Sequence, residues 1–168
     1  MKLTFLTTIL SLFISMASAF APDPPAGTGT AGDPYQIATL DHLYWLSQNS
    51  AEWVAGKYYI QTADIDASAT STWFPNGSGG YYGFPTIGGN ADVTGNHVQG
   101  TFSGNYNGQG YSISNFYINR SADQIAFLGN CNGATIQNLR MINAVVIATG
   151  TQGDYASGIL IGNSTNAT

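Results

Sequence analysis

The side chains able to do chemistry are few and scattered. Asp64-Ile-Asp66 puts two carboxylates on one side of an extended segment, because successive strand side chains alternate. Two such groups could begin a calcium site, but calcium takes roughly six to eight oxygens and no further acid lies nearby in the sequence. The stronger reading is that Asp64 and Asp66 cap the strand and its turn, so neither a metal nor any other cofactor is expected. Asp92, Asp123 and Asp154 stand apart from one another, His97 has no nucleophile motif or adjacent acid, and His42 falls in a helical stretch. Glycoside hydrolysis needs a carboxylate pair across one groove. The sequence assembles none, no catalytic residue is assigned, and the chain is expected not to be an enzyme.

Aromatic residues carry the other candidate chemistry. Trp73, Phe74, Tyr81, Tyr82 and Phe84 cluster in a Gly-rich stretch, where they could form a platform for sugar rings or a protein partner. The competing reading, slightly stronger on residue type alone, is that they cover the core. Cys131 is the single cysteine, so no internal disulfide can form, and its small-residue turn position makes it structural filler.

The elements that must position these groups begin after a leader. Met1-Lys2, the apolar run to Met16 and Ala17-Ser-Ala19 read as a secretory signal peptide over 1–19, which leaves no transmembrane segment after cleavage. The expected location is therefore secreted, extracellular or at the cell surface. Only Lys57, Arg120 and Arg140 then face nine acids, too few cations to line a phosphate-binding groove, which excludes nucleic acid as a partner. Residues 20–33 read as a Pro/Gly linker. Thr39 reads as the N-cap of an amphipathic helix over about 39–50, with Leu40, Leu43 and Leu46 at helical spacing. Residues 67–100 read as a long decorated loop, with a short strand near 84–87.

From 101 to 168 the chain repeats itself. Ser112–Ile118 and Thr135–Met141 align at an offset of 23, matching Ile113 with Ile136, Asn115 with Asn138 and Phe116 with Leu139, while Gly110 matches Gly133. Phe127–Thr135 and Leu160–Thr168 align at 33, matching Gly129 with Gly162. Short strands at such periods imply stacked supersecondary units. The expected fold is all-β over 34–168: a right-handed parallel β-helix or β-solenoid whose N-terminal helix covers the first coil. Asn115 and Asn138 are expected to be buried amides bonding between coils.

Phe102–Ile118, Ala126–Asn130, Gly133–Leu139 and Gly158–Asn163, with the lead-in Gly32–Leu40, resemble the Gly-Leu-any-Gly (GLUG) repeat family of secreted, adhesin-like bacterial surface proteins. The resemblance implies a β-helix, export, adhesion or surface display, and no catalytic residues. Thr168 falls one residue before an expected core position, so the chain is expected to be truncated. An open end would invite self-association. The function expected is a secreted non-catalytic module binding a glycan or cell-surface partner. The alternatives are a polysaccharide-degrading β-helix enzyme and a purely structural spacer.

Overall fold

The computed structural model describes residues 22–90, 97–149 and 156–168. The leader, Asp92 and Asp154 lie outside them. In chain order the elements are β1 (Tyr35–Ile37), α1 (Leu40–Gln48), a 3₁₀ turn (Ser50–Glu52), β2 (Tyr58–Gln61), β3 (Ile65–Asp66) and a second 3₁₀ turn (Ser68–Thr72). Eight short strands follow: β4 (Asn105–Asn107), β5 (Ser112–Ser114), β6 (Tyr117–Arg120), β7 (Leu128–Asn132), β8 (Thr135–Gln137), β9 (Arg140–Ile142), β10 (Val145–Ala148) and β11 (Ile161–Thr165).

The helix forms where its signals place it. The Thr39 hydroxyl accepts the His42 N–H at 3.2 Å, Asp41 occupies the first turn, and Leu43, Tyr44 and Leu46 are buried. His42 is held by the cap itself, its Nδ1 accepting the Ala38 N–H at 3.1 Å. At nine residues α1 is far too short to span a bilayer, and no described helix is long and apolar enough to do so.

The expected right-handed β-helix is corrected by the sheets. The strands fall into four separate sheets, ordered β1-β2-β4-β8, β3-β5-β9, β10-β6 and β11-β7, none of them closed. Every pairing between these strands is parallel, but α1 is part of the core rather than a lid. The result is a small mixed domain. Its physical cause is frequent reversal of the chain: Gln109, Asn115, Gln124, Asn138 and Asn143 all adopt left-handed backbone, so no strand exceeds five residues.

Register separates the two repeat alignments. The offset of 33 is realised: Leu128 pairs with Ile161, Asn130 with Asn163 and Cys131 with Ser164. The offset of 23 is not. Ile113 pairs with Met141 in one sheet, while Ile136 pairs with Tyr106 in another. Asn115 and Asn138 are correspondingly exposed rather than buried, with φ of 58° and 54°. Asn115 donates to Asp66 Oδ1 at 3.0 Å and Asn138 to Asn107 Oδ1 at 3.1 Å. They are turn formers whose amides tie neighbouring turns together.

Two stretches, one read as a linker and one as a loop with a short strand near 84–87, carry fold. Residues 83–89 are buried and bridge to β6 and β7, with the Phe84 N–H donating to the Tyr117 carbonyl at 2.9 Å and the Gly129 N–H to the Ile87 carbonyl at 2.9 Å. The stretch 22–33 docks on the first sheet, where the Gln36 N–H donates to the Ala26 carbonyl at 2.8 Å and the Tyr58 N–H to the Gly29 carbonyl at 3.0 Å. Around them Phe127 packs on Phe84, Tyr106 and Phe116, and Tyr59 packs on Phe102 and Tyr106. Trp53 closes the core, its indole N–H donating to the Leu46 carbonyl at 2.7 Å.

Candidate ligand-binding surface

Asp64 and Asp66 spend their oxygens on neighbouring turns. Asp64 Oδ1 accepts the Ser112 N–H at 2.7 Å and the Ser112 hydroxyl at 2.8 Å. Asp66 Oδ1 accepts from Asn115 Nδ2 and the Ser68 N–H, both at 3.0 Å, and its Oδ2 accepts the Ser68 hydroxyl at 3.0 Å. These donors hold both carboxyls below the usual aspartate range, Ser112 chiefly for Asp64 and Asn115 chiefly for Asp66. Among the described residues no three His, Cys, Asp or Glu side chains are grouped to hold a metal.

A pH dependence follows. The unfolded carboxyls bind protons first as pH falls, so these bonds stabilise the fold above the ordinary aspartate value and are lost as pH drops through the folded one. The melting temperature is expected to be flat down to about pH 5 and to fall below about pH 4. Asp64→Asn with Asp66→Asn should make that fall shallower; an unchanged acid limb would show that other carboxyls govern it.

The five aromatic candidates divide by burial. Trp73 is 8% exposed and Phe84 0%, and the two rings stack at 6.1 Å between Tyr44 and Phe116. Neither has a free face to offer, so both leave the proposed platform. Phe74, Tyr81 and Tyr82 are half-buried on a tight excursion. Its base is closed by the Tyr82 N–H on the Phe74 carbonyl at 2.8 Å, and its tip by Asn76 Oδ1, which accepts the Ser78 and Gly80 N–H groups, both at 3.0 Å. Beneath it Arg120 is buried, with Nε on the Phe84 carbonyl at 3.2 Å, Nη2 on the Gly83 carbonyl at 3.1 Å and the guanidinium 5.8 Å from the Tyr82 ring centre. Arg120 holds the excursion to the core.

A second candidate surface lies elsewhere. Asn107, Gln109, Gly110, Asn138, Leu139 and Arg140 line an open groove of about 600 Å³. It forms because the turns after β4 and β8 lie one above the other, with the Gly110 N–H on the Asn138 carbonyl at 2.8 Å and the Gly108 N–H on the Gln137 carbonyl at 2.9 Å. Asn107 Oδ1 fixes both walls, accepting the Gln109 N–H at 2.9 Å and Asn138 Nδ2 at 3.1 Å. Left-handed backbone at Gln109 and Asn138 is what turns the chain there.

Three planar amides and the exposed Arg140 thus stand beside Leu139, with exposed Tyr111 directly after Gly110. Amides both donate and accept, and a guanidinium donates in a fixed fork. A few such groups beside apolar surface suit a small polyhydroxylated ligand. Of the structural repeat positions named from sequence, Gly110, Asn138 and Leu139 line this groove, whereas Ile113, Phe116 and Ile136 belong to the sheets and their core. Asn107, Gln109 and Arg140 were missed. Arg140 lies 76 positions after Asp64 in the chain, yet the fold brings its charge close enough to help lower that carboxyl. Their sequence signal was turn-forming Asn, which the composition repeats everywhere.

Cys131 is buried between Phe102 and Ser164. Burial pushes its thiol up to about 11, which keeps it protonated and unreactive at neutral pH.

Halomucin of Haloquadratum walsbyi is 36% identical over 124 residues, which are 71% of this chain and 1% of halomucin. A Gly-rich membrane protein of Evansella cellulosilytica is 32% identical over 114 residues, 67% of this chain and 11% of that protein. The chain therefore spans a small part of the length of either relative. No family model matches it, and no solved structure matches it significantly.

Proposed function

We propose that this chain is a non-catalytic module displayed outside the cell, binding saccharide in the groove between residues 107–110 and 138–140. The carrying observation is that groove: three amides and a guanidinium on neighbouring turns next to Leu139, with the Asn107 and Asn138 side chains tied to each other. Hydroxyl groups bridge amide donors and acceptors at low ordering cost, because Asn107 and Asn138 are already held in place. The names of the two relatives, halomucin and a membrane protein, support an extracellular or membrane-associated location, as does the expectation, from sequence, of a leader over 1–19.

The test is a glycan panel screened with the leaderless chain, followed by calorimetry on the best saccharide. Arg140→Ala with Asn138→Gly removes two hydrogen-bonding groups while keeping a residue that tolerates left-handed backbone at 138. Affinity is expected to fall at least about tenfold, from roughly 0.5–3 kcal/mol per hydrogen bond lost, with little change in melting temperature. Binding that survives this variant but disappears in Tyr82→Ala would move the site to the aromatic excursion. Absence of any saccharide binding would overturn the reading.

A further inference from the structure

Lysine and arginine are scarce enough in this chain for the role of each to be traced. Past residue 19 there are three, Lys57, Arg120 and Arg140, against nine acids. Lys57 is paired with Glu52 at 2.5 Å and lies 5.4 Å from the Tyr35 ring centre. Arg120 is buried, with its guanidinium on the Phe84 and Gly83 carbonyls and over the Tyr82 ring. Both hold the fold together. Arg140 does not. Its backbone N–H donates to the Tyr111 carbonyl at 3.4 Å, but its exposed guanidinium has no hydrogen bond and no ion pair among the described residues.

That guanidinium supplies the one charge in the groove. Asn107, Gln109 and Asn138 are neutral amides, and Gly110 and Leu139 bring no polar side chain. Asp64 feels the charge without pairing with it. Its Oδ1 is taken by the Ser112 N–H and hydroxyl, and Ser112 is the residue in register with Arg140. Exposure alternates along β9, with Arg140 exposed, Met141 half-buried and Ile142 exposed. Arg140 therefore rises from the outer face of its sheet. A further strand beside β9 would lie edge to edge with it and leave that face open.

In a chain of formal net charge −5, a cation in a groove with no role in the fold suits an anion from outside. A guanidinium presents its donors as a planar fork that matches a carboxylate. We infer that the groove takes an acidic saccharide, with the carboxylate of a uronic acid ring seated on Arg140 and ring hydroxyls on the neighbouring amides. This rests on the saccharide reading above and narrows it to one chemical class.

Calorimetry on the leaderless chain with trigalacturonate and with its methyl ester tests this, because the two share every ring and hydroxyl and differ in charge. At about 20 mM salt the acid is expected to bind about tenfold tighter than the ester, the increment of a charge-assisted hydrogen bond. The gap is expected to narrow at about 500 mM salt, where screening acts within a few ångströms. Arg140→Gln is expected to remove the gap and Arg140→Lys to keep part of it, both with the melting temperature of the parent. Equal binding of acid and ester would overturn the acidic class and leave the saccharide reading standing. A preference for the acid that survives Arg140→Gln would overturn the assignment to this groove. Binding of neither probe would overturn the acidic class, and the neutral sugars of the glycan panel then decide the saccharide reading separately.

Discussion

Trp73→Ala is expected to lower the melting temperature by about 10 °C, whereas Tyr81→Ala moves it by no more than about 2 °C. Trp73 packs against Tyr44, Phe74 and Phe84 and is almost wholly buried. Emptying such a site costs about 3–5 kcal/mol, and for a domain of this size each kcal/mol is worth about 2–4 °C. Tyr81 is half-buried, and its ring belongs to none of the aromatic contacts among the described residues. The measurement is thermal melting followed by near-ultraviolet dichroism. A Trp73→Ala protein that kept its melting temperature would return that ring to the surface and to the aromatic platform beside Phe74, Tyr81 and Tyr82.

That contrast marks how far the sequence could be read. Helix α1 was legible because its cap and its apolar spacing are local signals, complete within ten residues. The offset of 33 was legible because Leu128 and Ile161 both lie in runs whose neighbours match residue for residue. The offset of 23 misled because Asn and Ser recur at most turns, so Asn115 and Asn138 align without being partners. Burial of 83–89 was legible only in part, through the short strand expected near 84–87 and the core reading of Phe84. Gly88, Gly89 and Pro85 read as loop residues, and only the depth of β6 and β7 makes the same chain core. The fold class failed at the same point: strands were visible, but the share of the core taken by α1 and by Phe84 was not. The groove was hidden because Asn107 and Asn138 meet only once β4 and β8 are paired.

The glycines named together from the repeats should respond to substitution in two opposite ways. Gly133 has φ of 66° with open space where a side chain would stand, and Gly110 has φ of 84° and the same open space. Gly129 and Gly162 lie outside the left-handed region but have no room: a Cβ on Gly129 would meet the Gln124 carbonyl oxygen and, at 2.7 Å, that of Gly88. A Cβ on Gly162 would lie 2.6 Å from the Gly129 carbonyl oxygen and 2.9 Å from that of Ala156. Gly133→Ala is therefore expected to cost about 1 kcal/mol of backbone strain, and Gly133→Asn less, since this chain already places Asn115, Asn138 and Asn143 in left-handed backbone. Gly129→Ala forces backbone carbonyls apart in a packed core, at about 3 kcal/mol or more, and asparagine there is worse than alanine. Urea titration of the four variants measures the two orderings directly. If Asn rescued position 129 as it does 133, the close approach of the Gln124 and Gly88 carbonyls would not be what requires glycine, and the β7–β11 pairing would rest on conformation instead.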